Sequence, residues 1–326
     1  MTTVAGLELR PFDPGRDFPG VVDLIAATNA HDQSQDWYPT VESLRIDWAP
    51  RPAFDPATDA IVVETDGKIV AGGTVEWRER AAKIIHTNTI WVRPEFRGRG
   101  LGRRILAWLE AHARATLADG TGGPSELQHF LGGGVDTAHA ASVAFAERAG
   151  YAQIRYGFQM RRPLDLPIPD VALPDGLEVR PAMPEQYRTI WEADNEAFRD
   201  HFEPRELDES DFEHFTADPD CDPSLWQVAW DGDEVAGSVL NGIYRHENAQ
   251  IGLDLGWLDH VSVRRQWRGR GVAKALIARS LVVLRDRGMA VAVLGVDAEN
   301  PTGALQLYEG FGFQPHRQWA TVRKPL

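Results

Sequence analysis

The most regular pattern of apolar positions lies in the last third of the chain. Apolar residues recur there at a spacing of three to four, at Ala273, Ile277, Leu281 and Leu284. This spacing places them on one face of a helix, because an α-helix turns once every 3.6 residues. We expect the helix to begin at Gly271 and to end near Gly288, where a glycine can terminate it.

Short runs of β-branched and apolar residues on either side of this helix predict strands. In the second half of the chain we expect, in order, a strand at 177–181, a helix at 185–198, strands at 225–230, 235–244 and 251–263, the helix described above, a strand at 290–296, a helix at 302–311 and a final strand. The Asp-Gly-Asp sequence at 231–233 is typical of a hairpin turn. The first half predicts the same order, with strands at 60–64, 69–77 and 84–92 and a helix at 101–117. Each half is therefore predicted to be mixed α/β.

The two halves are also related as an internal repeat. Segments 7–11, 66–72, 97–102 and 150–151 return in the same order as 177–181, 231–237, 268–273 and 312–313. A nearly constant register across four matches predicts a duplicated domain. Four prolines between 162 and 174 predict an extended connection. We therefore expect an N-terminal domain at 1–163, a linker at 164–176 and a C-terminal domain at 177–326.

A basic, glycine-containing loop joins a predicted strand to a predicted helix in each copy. Glycines allow an anion to approach the backbone, and a helix N-terminus offers N–H groups without helical partners. We therefore expect a pyrophosphate cradle in each copy. The predicted binding residues of the second copy are Val263, Arg268, Gly269, Arg270, Gly271, Val272 and Ala273. Those of the first copy are Ile90, Trp91, Val92, Arg97, Gly98, Arg99, Gly100, Leu101 and Gly102.

The sequence Arg-x-x-Gly-x-Gly/Ala in both loops resembles the acetyl-CoA signature of the GCN5-related N-acetyltransferase superfamily. The segment 300–313, with its Asn and its Ala-x-x-Leu-Tyr-Glu-x-x-Gly-Phe pattern, is similar to the helix that follows the fifth strand in that family. The resemblance covers both halves. It implies two tandem acyltransferase domains, each with a mixed, twisted sheet, and acetyl-CoA as cosubstrate in a V-shaped opening between two central strands.

The resemblance also implies a mechanism, in which an amine attacks the thioester directly. The resemblance adds Val261, Ser262 and Asn300 to the cofactor-binding residues of the second copy. Backbone N–H groups of residues 261–263 are then expected to stabilise the oxyanion. Tyr308 occupies the position of the residue that protonates the leaving thiolate; the alternative is a packed aromatic side chain. Asp259 and His260 are candidates for the base, with water as a third possibility. Neighbours on a regular strand point to opposite faces, so we expect at most one of the two to face the acceptor.

The first copy lacks these titratable groups. Ala146 occupies the position of Tyr308, and Asn88 and Thr89 occupy those of Asp259 and His260. We therefore expect catalysis in the second copy, while the first copy binds acetyl-CoA without turnover or is structural.

Composition limits the classes of binding partner and the cellular compartment that we expect. The formal net charge of −14 argues against nucleic acid, because phosphate binding requires clustered Lys and Arg. The single cysteine, Cys221, excludes an intrachain disulfide and favours the cytoplasm. Its acidic neighbours make it a poor nucleophile. We expect no metal and no membrane segment, a small-molecule amine as substrate, and a monomer or homodimer.

Two alternatives stay open at this level. One is an enzyme similar to mycothiol synthase, which shares the tandem layout and acetylates the amine of a sugar-linked cysteine. The other is a non-catalytic acyl-CoA sensor. Turnover of acetyl-CoA against a panel of amines distinguishes an enzyme from a sensor.

Overall fold

The structure, a computed structural model, describes residues 7–33, 37–204, 207–300 and 303–326. The chain divides into two compact units. The first unit extends to Ile154 and includes Ala320–Leu326, and the second is Arg155–Trp319. The residues predicted as a linker, 164–176, fall within the second unit, and the end of each half of the sequence is assigned to the unit of the other half.

The first unit is an α/β structure. Its described helices and strands are β1 (Glu8–Pro11), α1 (Phe18–Asp32), α2 (Val41–Asp47), α3 (Pro56–Asp59), β2 (Ala60–Thr65), β3 (Lys68–Arg80), β4 (Lys83–Val92), α4 (Leu101–Asp119), β5 (Gln128–Asp136) and α5 (Ala140–Arg148). Its strands follow the order β1-β2-β3-β4-β5. All the pairs are antiparallel except β4 with β5, which is parallel.

The second unit repeats this plan. After β6 (Ala152–Pro163), its described elements are β7 (Glu178–Arg180), α6 (Tyr187–Phe198), α7 (Glu209–Ala217), β8 (Gln227–Asp231), β9 (Glu234–Gly242), α8 (Arg245–Ile251), β10 (Leu255–Val263), α9 (Val272–Asp286), β11 (Val291–Asp297), α10 (Ala304–Gly310) and β12 (Gln314–Pro325). The strand order from β6 is β6-β11-β10-β9-β8-β7, and β12 lies beyond β6. The pair β10 with β11 is parallel.

The sequence pattern predicted this order of elements well. The helix expected from Gly271 to Gly288 is α9, and its buried side chains Leu276, Leu281 and Leu284 pack in the core with Ala236 and Leu258. The strand expected at 251–263 begins only at Leu255, because Arg245–Ile251 is the helix α8. No described helix combines the length and apolar character that crossing a membrane requires.

Strand β6 is bound into the second unit by a buried arginine. Residues Gly157–Pro163 pair antiparallel with β11. The Arg162 side chain, 1% exposed, donates from Nε to the Phe311 carbonyl at 2.7 Å and from Nη2 to the Pro167 carbonyl at 2.7 Å. Desolvation lowers its pKa. A buried guanidinium is tolerated here because backbone carbonyls replace its lost water.

We predict that Arg162→Ala destabilises the protein. The change removes several charged hydrogen bonds and leaves buried carbonyls without donors, which costs on the order of 3 kcal/mol. Urea unfolding of the full chain measures the loss. Arg285→Ala is the matched control, because Arg285 is 49% exposed on α9 and pairs with the adjacent Asp286. An equal, small effect of both changes would show that Arg162 does not hold β6 in place.

Candidate active site

The second unit opens between two central strands. Leu255, Gly256 and Trp257 of β10 pair with Val291, Ala292 and Val293 of β11. Beyond this short ladder β10 continues to Val263 beside β9, without further pairing to β11. The first unit has the same form, since β4 and β5 pair from Lys83↔Gln128 only to Thr87↔Gly132. Each unit therefore has the separated strands that the family resemblance implied.

Backbone donors of β10 face this opening. Arg264 donates its N–H to the Ala236 carbonyl near the start of β9. Successive peptide groups of a strand alternate in direction, so the N–H groups of Val261 and Val263 point away from β9 toward the opening. Ser262 points its hydroxyl to Ser238 at 3.1 Å. The opening is thus lined by peptide donors at two of the three predicted positions.

The glycine loop completes a cavity of about 620 Å³. Gly269 and Gly271 have φ of 73° and 93°, and a Cβ at either position would meet nothing within 4 Å. Gly271 is the N-cap of α9, and no side chain caps that end. Because no side chain satisfies them, the first N–H groups of α9 are available to an anion.

The cavity brings most of the predicted residues together. Of the predicted set, it is lined by Val261, Ser262, Val263, Arg268, Gly269, Arg270, Gly271, Val272, Ala273 and Tyr308. Asp259, His260 and Asn300 are not part of this lining. Asn300 donates its backbone N–H to the Asp297 carbonyl at 3.2 Å, in the turn after β11.

Arg268 lines the cavity and is also hydrogen-bonded to the protein. Its Nε donates to the Val263 carbonyl at 2.8 Å, its Nη1 to Asp200 at 2.6 Å and its Nη2 to the Ala197 carbonyl at 3.1 Å. The guanidinium therefore ties the loop to the end of β10 and to the end of α6. It positions the cradle instead of pointing a free charge at a phosphate.

Arg97 repeats this arrangement in the first unit. Its Nε donates to the Val92 carbonyl at 3.1 Å, and both of its terminal nitrogens lie 2.7 Å from Asp32. The hydrogen bonds to Asp32 raise the pKa of Arg97. Gly98 and Gly100, with φ of 74° and 81°, again leave open space where a Cβ would stand. The first unit thus keeps the geometry of the cradle.

A β-bulge changes the directions of the two candidate bases. The register of β10 against β9 shifts between Leu258 and His260, so that Asp259 is the extra residue. His260 pairs with Leu240, which packs against α6. Asp259 reaches the same face, since its Oδ2 occupies the space where a Cβ on Gly242 would stand. Both side chains therefore lie on one face of the sheet, in contrast to the opposite faces expected of neighbours on a regular strand.

His260 is held as a cation. Its Nδ1 lies 2.6 Å from Oδ2 of Asp194, which is 2% exposed on α6, while His260 itself is 45% exposed. Desolvation lowers the pKa of His260, but the charge of Asp194 outweighs it and raises the pKa to about 9. The imidazole is therefore protonated at neutral pH and has no lone pair with which to accept a proton.

Asp259 has a raised pKa. Desolvation by the surrounding protein raises its pKa to about 6, against the lowering effects of His260 and of the Tyr244 hydroxyl, which donates to Oδ2 at 2.9 Å. The side chain remains accessible to solvent. A carboxylate with a pKa near 6 is ionised at pH 7 and is a stronger base than an ordinary Asp.

Tyr308 lies on α10 at the wall of the cavity. The residue is 6% exposed, its ring contacts Phe313, and burial raises its pKa to about 12. Its hydroxyl takes no hydrogen bond from the residues that the structure describes. It is therefore protonated at neutral pH and able to donate.

The first unit carries different groups at these positions. Its β4 runs opposite β3 in unbroken register, without a bulge. The Asn88 amide donates to the Tyr151 hydroxyl at 2.9 Å, and that hydroxyl donates to Glu110 at 3.1 Å. Burial and Glu110 raise the pKa of Tyr151. Ala146 lies buried on α5.

Asp194 and Tyr244 were not found by sequence analysis. They lie 66 and 15 residues from the groups that they contact, so only the fold brings them together.

The low nucleophilicity expected of Cys221 agrees with the structure, since burial and two acidic neighbours raise its pKa to about 11.

Comparison with known proteins identifies the family. The profile described as the Acetyltransferase (GNAT) family matches residues 21–151 and 187–313, one match in each unit. Mycothiol acetyltransferase from Thermobispora bispora is 34% identical over 68% of this chain and 70% of its own length. Mycothiol acetyltransferase from Streptomyces coelicolor is 32% identical over 80% of this chain and 79% of its own length.

Solved structures share the tandem layout. A GCN5-related N-acetyltransferase from Sphaerobacter thermophilus superposes with a TM-score of 0.73 and 29% identity, covering 99% of this chain and 97% of its own. A tandem GNAT protein from the clavulanic acid biosynthesis pathway superposes with a TM-score of 0.69 and 18% identity over 98% of both chains, a likeness of fold alone. The chain therefore belongs to the GNAT family, and it is an acyl-CoA-dependent N-acetyltransferase built from two copies of the family's fold.

Proposed function

We propose that the second unit transfers an acetyl group from acetyl-CoA to the primary amine of a small molecule. One observation carries this proposal: a single cavity of about 620 Å³ is lined by the glycine loop, by Val261–Val263 and by Tyr308. A phosphate-binding end, a row of peptide donors and a proton donor thus share one space.

The loop fits the pyrophosphate of acetyl-CoA. The two open, left-handed glycines and the uncapped start of α9 leave N–H groups for its oxygens. Arg268 fixes the loop through Asp200 and backbone carbonyls, and Arg270 lies in the cavity wall. Acetyl-CoA supplies the thioester carbon that the amine attacks.

The protonation states of the two candidates support Asp259 as the base. The carboxylate accepts a proton from the attacking amine, while His260, paired with Asp194, stays protonated. The new N–C bond forms as the C–S bond breaks. The N–H groups of Val261 and Val263 stabilise the carbonyl oxygen as it becomes negative. Tyr308 gives its proton to the departing sulfur, so charge and protons balance.

The first unit is proposed to bind acetyl-CoA without turning it over. It keeps Gly98, Gly100 and the Arg97 anchor, but it lacks the bulge and carries Ala146 in place of Tyr308. A protein with this arrangement holds a second cosubstrate molecule at a site that catalyses nothing.

The similarity to mycothiol acetyltransferases supports a small amine as acceptor and favours a second candidate, the amine of a sugar-linked cysteine. Acetylation of such a compound in preference to simple amines would establish this second candidate.

A cytoplasmic location is proposed from the single cysteine. Failure to release free thiol with any amine would instead favour a sensor of acyl-CoA.

We predict that Gly271→Asp weakens acetyl-CoA binding to the second unit at least tenfold, or about 1.4 kcal/mol. The added carboxylate repels the pyrophosphate. Gly271→Asn is the matched control, because asparagine has nearly the same shape, tolerates positive φ and carries no charge. Calorimetry on both variants separates the effect of charge from that of backbone strain.

The same substitution in the first unit tests the number of sites. Gly100→Asp should reduce the calorimetric stoichiometry from two acetyl-CoA per chain to one and leave turnover intact. One site in the unaltered protein would mean that the first unit is structural only.

For the second unit, equal loss of affinity in Gly271→Asp and Gly271→Asn would exclude electrostatic repulsion as the cause of the weaker binding.

We predict that Tyr308→Phe lowers kcat by about 10²-fold, because the ring is kept and the proton donor is lost. KM for acetyl-CoA should change little, since the interaction matters mainly in the transition state. Ala146→Tyr places the same group in the first unit and should leave turnover unchanged. Steady-state kinetics with full activity in Tyr308→Phe would exclude the acid role.

We predict that kcat rises as pH increases through about 6, where Asp259 loses its proton. Asp259→Asn should abolish this acidic limb and lower kcat by about 10²-fold. Asp194→Asn is the comparison, because it removes the partner of His260 and leaves Asp259 in place. Retention of the limb in Asp259→Asn, together with its loss in Asp194→Asn, would assign the titration to His260.

A further inference from the structure

Two groups of opposite charge lie next to each other on one face of β10, and the protein holds each of them by one atom. Nδ1 of His260 lies 2.6 Å from Oδ2 of Asp194, and Oδ2 of Asp259 accepts the Tyr244 hydroxyl at 2.9 Å. The residues that the structure describes bond neither Nε2 of His260 nor Oδ1 of Asp259. One N–H donor and one carboxylate oxygen are therefore available to a ligand.

The surroundings of Asp194 keep His260 in its cationic form. This carboxylate is buried on α6, and its Oδ1 has no hydrogen-bond partner among the described residues. His260 is the partner of its Oδ2, so a neutral imidazole would leave a buried carboxylate without a counter-charge, which is strongly destabilising. The pKa of His260, raised to about 9, agrees with this argument. The ion pair therefore presents a positively charged N–H donor at neutral pH.

The first unit indicates that the fold does not require this ion pair. Asp32 and Asp200 bind the equivalent loop arginines of the two units. At the same distance before them in the sequence stand Ala26 and Asp194, respectively. Thr89 occupies the position of the histidine. The pair thus occurs in the unit with the proposed catalytic groups and is replaced in the other, which favours a role in the reaction over a role in folding.

The charged donor lies beside the cosubstrate cavity. The His260 ring contacts the Phe198 ring, with 5.3 Å between the centroids, and Phe198 lines the cavity. Val261, the next residue along β10, also lines it. Since consecutive Cα atoms are about 3.8 Å apart, Asp259 and His260 can contact neighbouring groups of one small ligand. The His260 side chain is about half exposed, so a ligand can reach it from solvent.

We propose that His260 selects the substrate by donating a hydrogen bond to an oxygen on the carbon next to the one that bears the reacting amine. The inference rests on the proposed function and names its substrate class: an α-amino acid or an α-aminoacyl compound. Asp259 accepts an N–H of the amine, while Nε2–H of His260 donates to the carboxylate or carbonyl oxygen. Asp194 contacts neither group and is a positioning residue, because it orients the imidazole and keeps it charged.

Four small amines test this assignment in the full chain with acetyl-CoA. Serine has a carboxylate next to its amine-bearing carbon, serinamide has a carbonyl there, and ethanolamine has neither. Isoserine is the isomer of serine in which the amine lies one carbon farther from the carboxylate. Serine or serinamide should have a kcat/KM at least about tenfold above those of ethanolamine and isoserine, as a charged hydrogen bond provides. A preference for serine alone identifies a carboxylate, and one that serinamide shares identifies a carbonyl oxygen.

A double variant, His260→Gln with Asp194→Asn, should reduce this preference to less than about threefold, because the charged hydrogen bond is lost. It removes both charges together, so no buried carboxylate is left unpaired. The same four amines are used with both proteins, so a changed ratio does not reflect their basicity. His246→Gln, at an exposed histidine of α8, is the matched control and should keep the full preference. Unchanged acetyl-CoA affinity by calorimetry shows that the second unit of each variant is folded.

Equal preferences in the unaltered protein and the double variant, with amines still acetylated, would overturn this inference and leave the proposed function standing. A binding experiment covers the opposite case. In protein saturated with CoA, which has no acetyl group to transfer, serine, serinamide and ethanolamine are titrated while NMR follows the imidazole C–H signal of His260, assigned with the double variant. A shift with serine or serinamide that ethanolamine does not produce supports the inference even if no amine is acetylated, in which case only the proposed function fails. No shift, or the same shift with ethanolamine, would overturn the inference.

Discussion

One arginine in each unit holds the glycine loop of the cradle in place. Arg268 joins the carbonyl at the end of β10, the carbonyl at the end of α6 and the carboxylate of Asp200. These contacts fix the loop relative to the strand whose N–H groups face the opening. An arginine held in place only by its contact with the ligand would become free to move when the ligand leaves. An arginine bound to protein acceptors keeps the glycines and the start of α9 in place in the absence of ligand, so the cosubstrate meets a preorganised site.

The two units show which features of a duplicated site can be kept while others are lost. Arg97 and Asp32 reproduce the anchor, and Gly98 and Gly100 reproduce the open loop. The bulge at Asp259 has no counterpart in the ladder of β3 with β4. An extra residue in one strand changes the alternation of side chains along it, and here Asp259 and His260 lie on one face of the sheet. In the function that we propose, nucleotide recognition and proton transfer depend on different local features of the same strand and loop.

Much of the fold and of the cavity could be predicted from the sequence, because both follow from local patterns. The stripe from Ala273 to Leu284 and the glycines beside Arg268 and Arg270 lie within short segments. The pairing of His260 with Asp194 could not be predicted, since 66 residues separate them and α6 must first pack on β10. The bulge was missed for another reason: alternation assumes a regular ladder, and the residues around Asp259 carry no glycine that would indicate an irregular one. The contacts of Arg268 could not be predicted because its acceptors, Ala197 and Asp200, lie at and just after the end of α6, far away in the sequence.

The assignment of the last seven residues to the first unit has a consequence for synthesis. Ala320–Leu326 belong with residues that leave the ribosome first, and Leu326 donates its N–H to the His129 carbonyl. At roughly 5–20 residues per second, the outer edge of β5 waits on the order of ten seconds or more for its partner. Until Ala320–Leu326 are made, that edge is open to other chains. The second unit receives β6 before its own strands are made, and the order of synthesis therefore leaves a strand edge of the first unit exposed for longer.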